Sequence, residues 1–250
     1  MTPAGSSSPA LPGWSQSTFT DGGTTLPTYR QGSGPGVIVI HEIPGITPKV
    51  DAFARDVVDA GFTVVMPSLL GTPGQPMTLP ATLKSLARVC ISSEFETWRT
   101  GRTSPITTWL RALARDLHAE LGGPGVGALG MCFSGGFALA MMVDGHVAAP
   151  VLSQPSMPFP VSKALAADLN LGPADLSAVK QRVADGCPVL GLRYVGDKAV
   201  GTRFDTLRKE LGEGFLAVEL PGRKHSVLTE HRDEPSVQRV LAFFAERLKP

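Results

Sequence analysis

The 250-residue chain predicts an α/β fold: a mainly parallel β-sheet with helices on both faces and a β-hairpin at its N-terminal end. Three observations carry this expectation. Short β-branched runs alternate with stretches of helical periodicity. One apolar run passes straight into a turn built of small residues around a cysteine. The composition, 42% hydrophobic and 18% charged, is that of a globular chain long enough to bury a sizeable core. No composition break divides the chain, so a single domain over 13–250 is expected, after a Pro-, Ser-, Ala- and Gly-rich tail over 1–12 expected to be disordered.

The elements follow in order. From Trp14 to Arg30, two polar-apolar stretches flank Asp21-Gly22-Gly23, which reads as a hairpin with an Asp-Gly turn. Val37 to Ile40 and Phe62 to Met66 are buried strands. Between them, Val50 to Ala60 has helical spacing with Asp and Arg on its polar side, completing a βαβ unit. Ser104 as cap and Pro105 at the first helical position open an amphipathic helix whose Ile106, Trp109, Leu110, Leu113 and Leu117 share one face. Strands are expected at Val126 to Leu129, Pro188 to Val195 and Phe215 to Leu220. Helices are expected at Phe204 to Leu211 and Ser236 to Leu248.

Composition excludes several classes of function. Twenty-three Lys and Arg against 22 Asp and Glu leave a net charge of +1 without long single-sign runs, so neither nucleic acid nor a membrane is an expected partner. No Lys or Arg precedes Arg30 and no early stretch has a continuous apolar core, which argues against a secretory signal. Cys90, Cys132 and Cys187 form no CxxC pair, and a reducing cytoplasm is the expected setting. His41-Glu42 does not extend to HExxH because Gly45 stands where the second His would be. No metal or other cofactor is expected. Gly125-Val-Gly127-Ala-Leu-Gly130 spells GxGxxG, but these glycines precede and form a strand instead of opening a helix, so no dinucleotide site follows.

The segment Gly130-Met-Cys132-Phe-Ser134-Gly135 reads as a nucleophile elbow, a tight strand-to-helix turn that lifts one reactive side chain clear of the sheet. The apolar run Gly136 to Val143 is then the helix behind it, its N-terminal dipole favouring an anion. A shifted frame would make Ser134 the nucleophile. Two further residues stand just past predicted strands: Asp197 after the strand at 188 to 195, and His225 after Phe215 to Leu220. The order nucleophile, acid, histidine is that of α/β-hydrolases. Histidine can take a thiol proton and return it to a leaving alkoxide, while a carboxylate fixes its tautomer.

Together, Ile-His-Glu42-Ile43-Pro-Gly, Gly-Met-Cys132-Phe-Ser-Gly-Gly, Gly-Asp197 and His225-Ser resemble the dienelactone hydrolase family of α/β-hydrolases, over a stretch from about Ser17 to the C-terminus. The resemblance implies the α/β-hydrolase fold and an ester or lactone hydrolase acting on a small molecule. In it, Cys132 forms a thioester, Asp197 and His225 complete the triad, and Glu42 pairs with the thiol in the resting state. The backbone amides of Ile43 and Phe133 are the expected oxyanion hole. Family members acting on dienelactone bind its carboxylate with arginines, one shortly after the catalytic His. Here that stretch is Ser226-Val-Leu-Thr229, so dienelactone itself does not follow as the substrate. Arg88, Trp98 and Arg102 are candidates for substrate recognition. A hydrolase-fold protein that senses oxidants through Cys132 without turnover is the alternative of a different class.

Overall fold

The computed structural model describes residues 11–249. Most of the expected tail over 1–12 lies outside those residues. Leu11 and Pro12 belong to the structured domain instead: Leu11 is buried, and the Pro12 carbonyl accepts a hydrogen bond from Arg55 Nη2 at 2.6 Å.

The hairpin forms as β1 (Ser15–Asp21) and β2 (Thr24–Gln31), paired from Ser15 with Arg30 to Asp21 with Thr24. Gly22 and Gly23 close it with φ of +55° and +80°, both in the left-handed region that a two-residue turn of this hand demands. The βαβ unit follows as β3 (Gly36–Ile40), α1 (Pro48–Asp59) and β4 (Thr63–Pro67). Next come α2 (Leu79–Ile91) and α3 (Ile106–Leu121). The chain then runs through β5 (Val126–Met131), α4 (Gly135–Met141), β6 (Val147–Ser153), α5 (Lys163–Ala167) and α6 (Pro173–Ala184). It closes with β7 (Val189–Tyr194), α7 (Arg203–Leu211), β8 (Phe215–Leu220) and α8 (Glu234–Leu248).

The eight strands form one sheet in the order β1-β2-β4-β3-β5-β6-β7-β8. From β4 to β8 all neighbours are parallel, and β1 and β2 add an antiparallel edge. Strands β3 to β6 are buried along their whole length, as expected for a sheet covered on both faces. Two hydrophobic clusters fill those faces. One is built around α3, α4 and α7, and the other around α1 and α8.

One local expectation is corrected, and one strand adds to those expected. Ser104 does not cap α3, because the N-cap is Pro105 and makes no side-chain capping bond. The Ser104 hydroxyl donates instead to the Phe95 carbonyl at 2.6 Å, tying the covering segment to the helix start. β6 carries Pro150 at a central, buried position, where the missing N–H argues against a strand by sequence alone. The strand forms because β5 pairs along it from Val147 to Ser153, while β7 joins only from Val151, past the proline.

Candidate active site

Every predicted site residue outside the segment 88–102 lies where the chain leaves the carboxyl end of a parallel strand. Glu42 and Ile43 follow β3, Cys132 and Phe133 follow β5, Asp197 follows β7, and His225 follows β8. In an open parallel sheet those ends converge on one edge, so residues far apart in sequence become neighbours.

The elbow is held by sterics. Cys132 has φ +56°, an uncommon conformation for a residue with a Cβ, worth on the order of 1–3 kcal/mol of strain that the surroundings must hold. At Gly130 an added Cβ would run into the Ser134 carbonyl oxygen, so only glycine allows the chain to fold back so closely. Ser134 lies beneath this turn, fully buried. Its Oγ accepts the Met131 N–H at 2.9 Å and sits 3.0–3.1 Å from the carbonyls of Ile40, His41 and Met131. The hydroxyl staples the end of β3 to the elbow. The frame with Ser134 as the presented nucleophile therefore does not match the geometry, whereas Cys132 is half-buried with a path to solvent.

His225 Nδ1 is 2.6 Å from Asp197 Oδ2, and the other Asp197 oxygen accepts the Ala199 N–H at 3.0 Å. The two loops are stitched together by the Gly196 N–H donating to the Gly222 carbonyl at 2.8 Å. Burial lowers the affinity of His225 for its proton, but the hydrogen bond to Asp197 and its negative charge, with a contribution from the nearby Cys132, outweigh it. The imidazolium is held well above its ordinary range. Neither Ile43 nor Phe133, the residues expected to form an oxyanion hole, donates its N–H to a turn or loop carbonyl among the described residues. Phe133 itself is locked edge-on against Phe95 and Phe137 at 5.7 and 5.8 Å.

Glu42 is buried, but its partners are not the expected ones. Ser226 Oγ donates to its Oε2 at 2.7 Å, Gln154 Nε2 lies 3.4 Å from the same oxygen, and Thr229 Oγ1 donates to its Oε1. Both carboxylate oxygens are thus engaged by neutral donors, and the expected pairing with the thiol is replaced by this cage. Burial pushes the Glu42 carboxyl up, against the opposing pull of the two hydroxyls and of the His225 charge. Sequence reasoning missed Gln154, Thr229 and His231 as supports. Gln154 gives no sequence signal. His231 Nδ1 accepts the His225 N–H at 3.4 Å. His41 is a satisfied core residue: it contacts the Glu42 carbonyl through Nδ1, accepts the Leu69 and Leu70 N–H groups at Nε2, and is pushed down to about 4 by burial.

Arg88, Trp98 and Arg102 are not brought into this cluster. Arg88 and Arg102 are exposed, and Trp98 donates its indole N–H to the Cys90 carbonyl at 2.9 Å while packing on Phe159. Among the described residues no group of three or more His, Cys, Asp or Glu is placed to hold a metal ion.

A nucleophile elbow, a carboxylate-bound histidine and a mainly parallel eight-stranded sheet define an enzyme with the α/β-hydrolase fold. Solved structures with the same fold include a dienelactone hydrolase from Anabaena variabilis (18% identity, TM-score 0.67, covering 94% of this chain and 98% of that one). Another is a cold-adapted esterase from an Arctic intertidal metagenomic library (16% identity, TM-score 0.62, covering 94% and 93%). No curated protein sequence matches the chain. The model of the dienelactone hydrolase family matches residues 23–170, so the chain belongs to that family and with it to the carboxylic ester hydrolases.

Proposed function

We propose that this enzyme hydrolyses a small carboxylic ester or lactone through a Cys132–His225–Asp197 triad and a thioester intermediate. The observation that carries the reading is the 2.6 Å contact of His225 with Asp197, with the imidazolium stabilised jointly by Asp197 and Cys132. That pairing favours a thiolate beside an imidazolium, as in other cysteine hydrolases. The thiolate adds to the substrate carbonyl, and the Ile43 and Phe133 amides take the oxyanion. Collapse of the intermediate expels the alkoxide, which receives the His225 proton. His225, now neutral, takes a proton from water as the water attacks the thioester. The acid leaves, and the proton remaining on His225 restores the ion pair. Glu42 acts here through Ser226 as a positioning residue for the His225 loop. The reading includes a reducing, cytoplasmic setting, because Cys132 has to remain free; Cys90, Cys132 and Cys187 are all unpaired thiols.

The test is p-nitrophenyl acetate hydrolysis with intact-mass detection of the acyl-enzyme in wild type and Cys132→Ala. An acetyl adduct mapped to Cys132, and turnover reduced about a thousandfold or more in the variant, is expected. Wild-type turnover that survives intact in Cys132→Ala would overturn the thiol mechanism.

A further inference from the structure

Helix α2 is built inside out. Among its 13 residues only Ser85 and Val89 are fully buried, while Leu79, Leu83 and Ile91 stand 71, 55 and 84% exposed. The spacing 79, 83, 87, 91 places these side chains and Ala87 along the solvent-facing side. Trp98, half exposed, and Val161, 71% exposed, extend the same apolar surface. The Trp98 ring packs on Phe159, and the Val161 N–H bonds the Phe159 carbonyl. Monomeric soluble proteins rarely leave such a concentration of large apolar side chains in water. Charge frames the stripe. Lys84 and Arg88 are the charged residues of α2, with no acidic residue on the helix. Arg102 follows, while Arg99 and Glu96 pair with each other and Glu94 keeps its charge beside the Ser92 hydroxyl. Lys84 and Arg88 also line a cleft of about 320 Å³ with Thr72, Gln75 and Thr78, a basic, hydroxyl-bearing recess suited to an anionic head group.

We propose that the outward face of α2, with Trp98, docks on an anionic phospholipid surface. An apolar stripe edged by Lys and Arg is the pattern of a helix lying in the membrane interface, its leucines among the acyl chains and its cations at the phosphates. A second copy of this chain fits less well. An antiparallel twofold pairing of the stripes would bring the Lys84 and Arg88 edges of both copies to the same side, and Glu96 is already paired with Arg99. The whole-chain charge of +1 conceals this segregation of cations. The docking is peripheral, since no described helix is long and apolar enough to cross a membrane. The opposite, buried side of the helix meets the loop after β3: the Ser85 hydroxyl donates to the Pro44 carbonyl at 2.9 Å, next to Ile43.

The experiment is co-sedimentation of the full chain with vesicles of phosphatidylcholine alone, or with phosphatidylglycerol in equal part. Binding roughly tenfold or more tighter to the anionic vesicles, weakened by salt, is expected. The Leu79→Ser/Leu83→Ser/Ile91→Ser variant should lose at least about tenfold of that affinity with its thermal midpoint and p-nitrophenyl acetate turnover unchanged. Lys84→Gln/Arg88→Gln should remove the preference for anionic vesicles. Vesicle binding needs no turnover, so failure of the ester-hydrolase reading would leave this result standing, and the reverse. Absence of binding, binding that the apolar variant retains, or a dimer in sedimentation velocity that the apolar variant dissolves would each overturn the proposal, the last by giving the stripe to a second copy.

Discussion

At the residue scale, two side chains two positions apart have opposite tasks. Cys132 is strained outward, and Ser134 is pinned inward by four backbone contacts. Ser134→Ala leaves the Met131 N–H without its partner and is expected to cost about 1–3 kcal/mol of stability, read as a lower urea midpoint, with an acyl adduct still forming on Cys132. Glu42 is a different kind of cost. Because burial raises its carboxyl above the unfolded value, the native state holds that proton to higher pH than the unfolded chain does. Stability therefore falls as pH climbs from the ordinary carboxylate range through the raised value. Glu42→Gln removes this slope. The variant should gain on wild type as pH rises and converge with it at about pH 4 in urea titrations. A variant that loses ground at higher pH would mean that the negative charge is needed to hold His225 in place.

At the scale of elements, the turn between β5 and α4 is the part most tightly specified. Gly130→Ala is expected to lower stability by about 3 kcal/mol or more and to abolish p-nitrophenyl acetate turnover, because the new methyl has backbone on the far side and nothing flexible to displace. Circular dichroism melts would separate a displaced elbow from an unfolded chain. This turn was also legible in the sequence, as were the hairpin, the βαβ unit and the last strand and helix, since each is dictated by local sterics or by periodicity. The positions of Asp197 and His225 were legible for a related reason: each follows a run that reads as a strand, the first largely buried and the second half-exposed at the sheet edge. β6 and Ser104 are cases in which tertiary context overrides the local pattern. β6 survives Pro150 because β5 pairs along it and β7 joins beyond the proline, and Ser104 is drawn from its capping role to the Phe95 carbonyl. α2 was not expected from the sequence: it has a cap in Thr78, but its large apolar side chains face water, so its periodicity does not mark a core-packed helix. The cage around Glu42 was not legible, because Gln154 and Thr229 come from loops that no periodicity places.

At the scale of the whole molecule, Arg203 holds the cover over the sheet. Nearly fully buried, it donates to the carbonyls of Met157, Pro158, Leu165, Ala199 and Val200, joining α7 to the loop after β6 and to α5. Arg203→Met keeps much of the volume and strands those carbonyls. A loss of about 3 kcal/mol or more is expected, with proteolysis appearing in residues 154–168 before global unfolding. Chain order adds a consequence in time. The Glu42 cage closes on Ser226 across 184 positions, and His225 is made 93 residues after Cys132. At typical translation rates a ribosome needs roughly 5–20 s to cover that distance. Under the proposed triad, the nascent chain carries its thiol through that interval without its base, so catalytic competence waits at least until His225 has been made.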